Sequence, residues 1–565
     1  MEIYRRFYFL SIFVLYALMA NSQTAPSKYW IQFTDKDNTI YSVSEPEQFL
    51  SPRAIEKRQR YNIELSEDDF PVNKTYLDSV ASYGAVILNT SKWLNAATIY
   101  LEDTNLIHTI RDLGFVEDLQ KSAKVRANRV PQMDKIKSIV TTKRNSDFTQ
   151  YNAENNEDCN YDYGMASHQT HMIRADYLHQ NSFCGQGMLI GVVDAGFANV
   201  NIIPAFDSLW ANGQILGYRD FVFPSDNIFE NHSHGTMVLS TMAANLPGDF
   251  IGTAPKANYL LLRTEDGDTE YVIEEDNWVS AIEFADSAGV DVINSSLGYT
   301  TFDDSLVVRT YEDMNGKVSR ASICATIAAR KGMIICNSAG NSGNKPWRYI
   351  GCPADADSIL TIGAVNEYEE PAFFTSHGPT YDGRVKPDVS AMGEQTWMVN
   401  IDGEVMTGNG TSFSSPIMAG TVACLWQAFP EKTNFEVMDA VRKSADRYNN
   451  PDTLLGYGIP NFKTAYEILD NSVKVENYSK TKLQAMVFPN PIDEHFTIAI
   501  HSPVKDYAYF QMYDAQGNTV ISSPKLSLRA GNNYIEFNEG ELLEKGIYLL
   551  RILTSKEVVV IKIIK

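Results

Sequence analysis

Three short runs of the sequence place residue types suited to nucleophilic catalysis at the ends of predicted strands or helices. The run IGVVDAGF ends an apolar strand on Asp194, HSHGTMV places His234 at the start of a helix, and GTSFSSP contains Ser412. A serine hydroxyl attacks a carbonyl carbon when a base takes its proton, another group orients that base, and donors stabilise the oxyanion. Asp194, His234 and Ser412 are therefore candidates for the orienting acid, the base and the nucleophile.

Each of these residues also has an ordinary structural interpretation. An aspartate after a strand is often a turn or cap residue, and serine oxygens commonly accept hydrogen bonds from the unpaired N–H groups of a helix N-terminus. The pair His232 and His234 could indicate a metal, but no cysteine or acid stands at a recognisable ligand spacing, so we expect no metal here. We expect Ser414 and Ser415 to begin a helix, with Pro416 in its first turn.

The elements that would position these residues alternate between strands and helices from about residue 165 to 470. Strand-like runs include MLIGVVD, YLLLRT, VDVINSS, MIICNSAG and ILTIGAV, and helical patterns lie between them. Such alternation predicts an α/β fold with a parallel sheet covered by helices on both faces. Ligands of such sheets bind at the carboxyl ends of the strands. The candidate residues would meet at that edge.

The chain order Asp194, His234, Ser412 is that of subtilisin, whereas α/β-hydrolases and the chymotrypsin group use other orders. The runs Asp-x-Gly, His-Gly-Thr and Gly-Thr-Ser-x-x-x-Pro all occur here in that order, and together they resemble the marks of the subtilisin-like serine proteases, the subtilase family. The resemblance implies that Ser412 is the nucleophile, His234 the general base and then acid, and Asp194 the residue that orients the imidazole. It departs from the family at Phe413, where methionine is usual.

Further runs extend the resemblance. Ser338-Ala339-Gly340-Asn341 is similar to the segment whose asparagine amide, here Asn341, completes the oxyanion hole with the backbone N–H of Ser412. The run Ser296, Leu297 and Gly298 resembles the substrate-binding strand, and Lys386-Pro387-Asp388 resembles a structural landmark. The resemblance implies a secreted serine endopeptidase that hydrolyses peptide bonds of proteins through an acyl-enzyme and is made as a precursor.

The N-terminal 120 residues predict a leader and a small domain. Residues 1–22 have two arginines, a 14-residue apolar run and small residues near Ser22, which is typical of a secretory signal peptide and too short for a membrane span. Residues 23–120 show the order β, α, α, β, β, α, β, close to a ferredoxin-like α+β domain. This domain resembles the inhibitory pro-segment of the subtilases, which would make it an intramolecular inhibitor.

Residues 121–160 differ in charge from the rest of the chain. Between Lys121 and Arg144 there are eight basic residues and one acid, Asp134, whereas the whole protein carries a net charge of −22. Little apolar periodicity accompanies this charge, which is typical of an exposed linker. The segment is either a solvated tether or a processing site between the pro-segment and a peptidase domain at 161–470.

After a second linker at 471–485, residues 486–565 contain short strand runs separated by turns, which predicts a β-sandwich. The run VFPNP, the run GIYLLRI and a basic end resemble the C-terminal sorting domain of the type IX secretion system of Bacteroidetes. The resemblance implies the secretion machinery as a partner and a secreted or cell-surface location, reached through the inner and then the outer membrane. A carbohydrate-binding or adhesive sandwich is the alternative.

The overall charge and the motifs limit the functional classes. A net charge of −22 and a pI near 4.9 argue against a nucleic-acid partner, which requires a basic surface. Protein or peptide substrates are expected. Two alternatives remain open: a non-catalytic surface binding module on a subtilase fold, and hydrolysis of small esters or amides by the same residues.

Six cysteines in an exported chain are candidates for disulfides. We expect Cys336 and Cys352 to be the first pair to consider, because a bridge there would close a loop next to the predicted site. Cys324 and Cys424 lie in helical patterns and are expected to be buried free thiols.

An inserted run, YTTFDDSLVVRTYEDMNGKVSR, lies between Gly298 and Ala321 and is expected to border the cleft. No cofactor is required by the resemblance. Structural calcium is possible in this family, and four side chains of the insertion with oxygen ligands are candidates, although their spacing fits no EF-hand and favours a plain acidic loop. These positions are Asp303, Asp304, Asp313 and Asn315.

The primary specificity pocket is expected to have walls at 296–298 and 340–343 and a floor in the run NKPWRYIGCPADAD. In that run, Asn344, Lys345, Trp347 and Arg348 either form a basic rim favouring acidic substrate side chains or lie in a surface loop.

Overall fold

A computed structural model describes residues 27–124, 159–223, 227–304, 307–470, 483–488, 492, 496–538, 540 and 543–565. The predicted signal peptide, most of the basic linker and most of the second linker lie outside these residues. The chain divides into two compact units, one up to residue 469 and one from residue 470.

The N-terminal part of the first unit is an antiparallel sheet with the strand order β2-β3-β1-β4. Its helices α2 and α3 share an apolar core with the strands, through side chains such as Val80, Ile110 and Ile31. The observed order β, α, α, β, β, α, β matches the sequence prediction. The elements are β1 (Ser27–Phe33), α1 (Pro52–Arg60), α2 (Lys74–Ser82), β2 (Val86–Ser91), β3 (Ala96–Leu101), α3 (Ile107–Arg111) and β4 (Val116–Lys124).

The rest of the first unit contains a seven-stranded sheet with the order β13-β12-β11-β10-β5-β9-β6. All of its pairings are parallel, as the alternation of strands and helices predicted. The strands of this region, which include two hairpins outside the sheet, are β5 (Leu189–Asp194), β6 (Ile215–Asp220), β7 (Asn245–Leu246), β8 (Phe250–Ile251), β9 (Asn258–Arg263), β10 (Val292–Ser295), β11 (Ile334–Ser338), β12 (Leu360–Val365), β13 (Val389–Met392), β14 (Thr396–Val399) and β15 (Val405–Gly408).

Helices cover both faces of this sheet. Its central strands are buried throughout, so consecutive residues such as Val192 and Val193 enter different apolar cores on opposite faces. Helices α7 and α10 belong to one core, and α8 and α9 to the other. The helices are α4 (Ser167–Met172), α5 (Ala175–Gln180), α6 (Asp207–Ala211), α7 (His234–Ala243), α8 (Ile273–Ala288), α9 (Arg320–Arg330), α10 (Thr411–Ala428), α11 (Asn434–Lys443) and α12 (Phe462–Asp470).

The start of α10 differs from the sequence prediction. The helix begins at Thr411, so Pro416 lies inside it rather than in its first turn. Ser414 and Ser415 do not cap the helix: the hydroxyl of Ser415 donates to Asn294 Oδ1 on β10 at 2.8 Å. The prediction was wrong because Ser415 has a hydrogen-bond partner on a strand that is distant in sequence.

The cysteines also correct one prediction. The disulfide joins Cys159 and Cys184, and Cys336 and Cys352 are both buried free thiols. A bridge between the latter two is excluded because Cys336 belongs to the core on one face of the sheet and Cys352 to the core on the other. Cys324 and Cys424 are free and buried, as predicted.

The second unit consists of two antiparallel sheets around one apolar core, as the predicted β-sandwich requires. A turn joins β18 to β19 at 514–518, with Asp514 Oδ1 accepting from the N–H of Asn518. No helix in the described part of the chain is long and apolar enough to cross a membrane. The strands are β16 (Gln484–Phe488), β17 (Phe496–Ser502), β18 (Asp506–Tyr513), β19 (Thr519–Ser522), β20 (Leu526–Leu528), β21 (Gly531–Phe537), β22 (Ile547–Thr554) and β23 (Val558–Ile564).

Candidate active site

The carboxyl ends of the central strands bring the predicted acid and base together. Asp194 is the last residue of β5, and His234 is the first residue of α7. His234 Nδ1 lies 2.8 Å from Asp194 Oδ1 and 3.0 Å from Oδ2. Asp194 is fully buried and also accepts from the N–H of Ala195. A buried carboxylate bonded to Nδ1 selects the tautomer in which Nε2 is free to accept a proton.

Close backbone packing holds the imidazole in place. A side chain on Gly235 would lie 2.3 Å from the carbonyl oxygen of Gly196, so only glycine permits α7 to approach the end of β5 at this point. Burial lowers the pKa of His234, but the charge and the hydrogen bond of Asp194 outweigh it and leave the pKa above 6.5. Phe413 is buried, with its ring centre 6.2 Å from that of His234.

Ser412 lies at the N-terminal end of α10 and is largely buried. Its hydroxyl lies 3.5 Å from the carbonyl oxygen of Ser296 and, in the described structure, makes no hydrogen bond to His234. Hydrogen bonds of this kind are often long when no substrate is bound. The carbonyl oxygen of Ser412 accepts from the hydroxyl of Ser296 at 2.9 Å, which ties the start of α10 to the end of β10.

Asn341 follows β11 and lies beside Ser412. Its Oδ1 accepts from both the N–H and the hydroxyl of Thr411, each at 2.9 Å. The hydroxyl of Thr411 also accepts from the N–H of Gly340 at 3.1 Å. Since Oδ1 is occupied in this way, the Nδ2 group is left to donate elsewhere. The sequence alone predicts no role for Thr411. Its position immediately before Ser412 is the feature of the sequence that points to such a role.

A cavity of about 160 Å³ opens beside Ser412 and Asn341. Of the predicted wall residues, Ser296, Leu297, Gly298 and the segment 340–342 line it, whereas Gly343 does not. From the predicted floor segment, Tyr349, Gly351 and Ala354 reach the cavity, whereas Asn344, Lys345, Trp347 and Arg348 do not line it. Of the two alternatives for this run, the basic rim is therefore not supported at this cavity, because none of these four residues lines it.

The insertion contributes to this cavity from two directions. Thr300 lines it directly. Tyr311 stacks on Tyr349 with ring centres 3.9 Å apart and donates to the carbonyl oxygen of Pro379. The insertion thus borders the cleft, as expected, and buttresses one wall residue.

Three of the four positions proposed for calcium accept from backbone N–H groups instead. Asp303 Oδ2 accepts from the N–H of Glu270, Asp313 Oδ2 from that of Thr310, and Asn315 Oδ1 from that of Lys317. Among the described residues, no group of three or more His, Cys, Asp or Glu side chains is placed to hold a metal ion. The positions do not converge on one point, so calcium at this loop is not supported by their geometry.

The N-terminal sheet packs on helix α8 through buried polar contacts. Glu283 accepts from the hydroxyl of Ser91 at 2.6 Å and from the N–H of Lys92 at 2.5 Å. Asp286 pairs with Arg58 at 2.7 Å and with Lys92 at 2.8 Å. Although burial raises the pKa of Asp286, these positive charges lower it well below its usual range. Buried ion pairs therefore hold the small domain on α8. Removing one member of such a pair would leave the other charge buried without a counter-charge.

Comparison with protein families shows three matches. The model of the subtilase family matches residues 185–458, that of the peptidase S8 propeptide domain of Bacteroidota matches residues 28–138, and that of the secretion system C-terminal sorting domain matches residues 486–565. The sorting domain indicates export, followed by secretion or attachment at the cell surface.

The curated proteins that this chain resembles are consistent with the match to the subtilase family. Serine protease AprX of Bacillus subtilis is 26% identical over 52% of this chain and 69% of its own, and subtilisin E of the same species is 29% identical with the same coverage. The solved structure of the MycP3 protease from the type VII (ESX-3) secretion system is 20% identical over 54% of this chain and 88% of its own, with a TM-score of 0.44. The chain contains a peptidase domain of the subtilase family at 185–458, preceded by a propeptide domain, and is an exported serine protease made as a precursor.

Proposed function

We propose that the protein is an endopeptidase in which Ser412, His234 and Asp194 form the catalytic triad. The observation that carries this proposal is the pair of contacts from His234 Nδ1 to the buried carboxylate of Asp194, at the strand ends where Ser412 also lies. An imidazole oriented in this way has its Nε2 available for the serine proton. The match of residues 185–458 to the subtilase family supports the same assignment.

The reaction proceeds through an acyl-enzyme. Ser412 Oγ attacks the carbonyl carbon of the scissile peptide while His234 Nε2 accepts the hydroxyl proton. The imidazolium, stabilised by Asp194, then gives that proton to the leaving amine as the C–N bond breaks. Water enters, loses a proton to His234 and attacks the ester, and the returning proton regenerates Ser412 as the acid product leaves.

Asn341 and the N–H of Ser412 stabilise the oxyanion formed in both attacks. Thr411 orients the amide of Asn341 by holding its Oδ1, which presents Nδ2 to the developing charge. A donor fixed before the reaction needs no reorganisation when charge develops, and this is the main source of its catalytic effect. Thr411 is therefore a positioning residue.

The substrate is a polypeptide rather than a small ester or amide. Ser296 to Gly298 follow β10 and line the cavity beside Ser412, where an extended peptide backbone can pair with them. The small neutral cavity would take the side chain next to the scissile bond. The N-terminal domain acts as an intramolecular inhibitor, and its contacts with Glu283 and Asp286 hold it on the enzyme until it is removed.

Self-processing and active-site labelling test this proposal. The wild-type precursor is expected to lose its N-terminal domain, to react with a fluorophosphonate at Ser412 and to hydrolyse casein. Ser412→Ala is expected to do none of these, whereas Ser414→Ala, a hydroxyl inside α10, serves as the matched control and is expected to retain all three. No labelling of Ser412 in the processed protein would contradict the triad and favour the non-catalytic binding module.

The inhibitory role has its own test. Arg58→Met is expected to weaken the contact with Asp286, since it leaves that carboxylate with fewer compensating charges. The precursor should then release active enzyme sooner, measured as a shorter lag before peptide hydrolysis begins. Arg60→Met is the control, because Arg60 is exposed and pairs with Glu56 of its own helix. An equal lag in both variants would contradict the proposed role of the Arg58 contact.

A further inference from the structure

A second cavity, of about 500 Å³, lies beside the candidate active site and is strongly acidic. On one side it is lined by Ala195 and His234, and on another by Ser296, Leu297 and Gly298. The rest of its lining carries carboxylates from the segment after β9, from α8 and from the insertion. They are Glu265, Asp266, Asp268, Glu270, Glu274 and Asp303.

One of these carboxylates is buried and lacks a partner for one oxygen. Glu274 is 1% exposed, and its Oε1 accepts from the N–H of Asp266 at 3.0 Å. Its Oε2 is buried and, in the described part of the chain, has no hydrogen-bond partner. An unpaired buried carboxylate oxygen is unfavourable unless a donor or a cation reaches it. Glu274, which lines the cavity, therefore has acceptor capacity that its protein neighbours do not use.

The other acids that line this cavity also favour the binding of a cation. Within the described residues, no lysine or arginine forms an ion pair with Glu265, Glu270 or Glu274. Burial, together with the charge of nearby acids, raises the pKa of Glu270 to about 8, and burial followed by Glu265 and Glu270 raises that of Glu274 to about 11. A positive ligand would relieve this repulsion and restore the ionised carboxylates.

The two cavities share one short segment, since Ser296, Leu297 and Gly298 line both. Successive side chains of an extended peptide point to opposite faces. If the residue before the scissile bond occupies the smaller cavity, the residue before that one points toward His234 and the acidic cavity. We propose that the acidic cavity receives a lysine or arginine side chain of the substrate, two residues N-terminal to the scissile bond.

This inference rests on the proposed endopeptidase function and adds a substrate class to it. A metal ion fits the cavity less well, because no three acidic or histidine side chains among the described residues converge to bind one. Spread carboxylates suit the several donors of an ammonium or guanidinium group better.

The chain itself contains a ligand of this chemistry. The run from Lys121 to Arg144 begins within the last residues of β4 and carries eight basic residues and one acid. It connects the N-terminal domain to the peptidase domain, so it must be cut for the two to separate. The basic side chain can therefore come from this linker, from an external protein, or from both.

Matched peptides test the inference on the processed enzyme. On the best-cleaved sequence from a peptide library, the second residue before the cleaved bond is set to lysine, norleucine or glutamate. The lysine peptide is expected to exceed the norleucine peptide about tenfold in kcat/KM. Glu270→Gln and Glu274→Gln should each narrow this ratio, whereas Glu312→Gln, an exposed acid of the insertion that lines neither cavity, should preserve it.

The outcomes separate the inference from the proposed function. Equal rates on the lysine and norleucine peptides, or a lysine preference unchanged in both glutamine variants, would overturn the inference alone. Failure of the wild type to cleave any peptide or to react with a fluorophosphonate would overturn the endopeptidase function and the inference with it. Fluorophosphonate titration normalises each variant to its folded active sites.

The source of the ligand is resolved in the precursor. Lys135, Lys137, Lys143 and Arg144 are replaced together by glutamine, and loss of the N-terminal domain is followed over time. Slower processing, together with the lysine preference on peptides, supports the linker as a ligand of the cavity. Unchanged processing with the same preference supports external substrates as its ligands.

Discussion

Pro416 lies four residues after Ser412 inside helix α10, and it leaves the carbonyl oxygen of Ser412 without the helical N–H that would otherwise bond to it. The hydroxyl of Ser296 donates to that oxygen instead, at 2.9 Å. Ser296 in turn accepts from Asn294 Nδ2 at 3.1 Å. Because of the proline, the carbonyl oxygen of Ser412 is free to accept from Ser296, which follows β10. This bond holds the backbone of the candidate nucleophile.

Replacing Ser296 should therefore destabilise the site in a way that depends on Pro416. Ser296→Ala leaves the buried oxygen unpaired and is expected to lower the free energy of unfolding by about 1–3 kcal/mol. In Ser296→Ala/Pro416→Ala the restored N–H at 416 takes the same acceptor, so the double variant should lose less than the sum of the single changes. Denaturant unfolding of the four precursors, all carrying Ser412→Ala to prevent digestion, measures the coupling. Additive effects would contradict it.

The pH dependence of activity should follow His234. Because the pKa of His234 lies above 6.5, kcat/KM is expected to fall as the pH drops through a midpoint above 6.5, since the protonated imidazole cannot accept the serine proton. Asp194→Asn removes the charge that raises this pKa. It is expected to move the midpoint to lower pH and to reduce kcat by about 10⁴.

A pH profile of peptide hydrolysis for both proteins provides the measurement. Asp402→Asn changes an exposed acid outside the site and is the control for the change in net charge. If Asp194→Asn had the same midpoint as the wild type, His234 would not be the group that limits activity at low pH.

Replacing Asn341 and replacing Thr411 should both lower kcat with little change in KM. The loss of kcat should be larger for Asn341. Asn341→Ala is expected to reduce kcat by about 10²–10³ with little change in KM, the magnitude known for such oxyanion donors in subtilisin. Thr411→Val removes the hydroxyl that orients Asn341 and should reduce kcat by about tenfold. Thr411→Ser keeps that hydroxyl and is expected to restore most of the activity. A rise in KM without a fall in kcat would argue against the oxyanion role.

Asp388 should matter for stability and not for turnover. It pairs with Lys386 at 2.6 Å and with Arg442 at 2.7 Å, and it accepts from the N–H of Thr361. Asp388→Asn leaves two cations near a neutral amide in a buried position and is expected to cost about 3–5 kcal/mol of unfolding free energy. Asp382→Asn, which breaks a more exposed pair with Arg384, should cost at most about 1 kcal/mol.

The contribution of Asp388 to the free energy of unfolding should depend on pH. The direction of its pKa shift decides whether that contribution is lost at low or at high pH. Burial raises the pKa of Asp388, but Lys386 and Arg442 lower it below 3.8. Its stabilising contribution is therefore complete above the unfolded pKa of about 3.9 and is lost as the pH falls through the lower native value. The difference in unfolding free energy between wild type and Asp388→Asn should shrink in that range. A constant difference from pH 7 to pH 2 would contradict this account.

Much of the fold could be predicted from the sequence because the patterns that indicate strands and helices are local. The alternation of apolar strand runs with helical patterns predicted the parallel sheet, and the short strands after residue 486 predicted the sandwich. The errors arose where a partner is distant in sequence. The sequence predicts Ser415 as a helix-start residue, although it bonds to Asn294, and it favours Cys336 and Cys352 as the first pair to consider, although the sheet separates them.

By itself, the sequence determined the class of the domains, the order of the motifs around Asp194, His234 and Ser412, and the family that they resemble, because each depends on residue types within a few positions of one another. Only the tertiary structure decided which side chains meet. Thr411 donates to Asn341, the hydroxyl of Ser296 donates to the carbonyl oxygen of Ser412, and Glu274 lines one cavity with Asp303 of the insertion. Such contacts join segments that are brought together when strand ends align at one edge of the sheet, and no local pattern records that alignment.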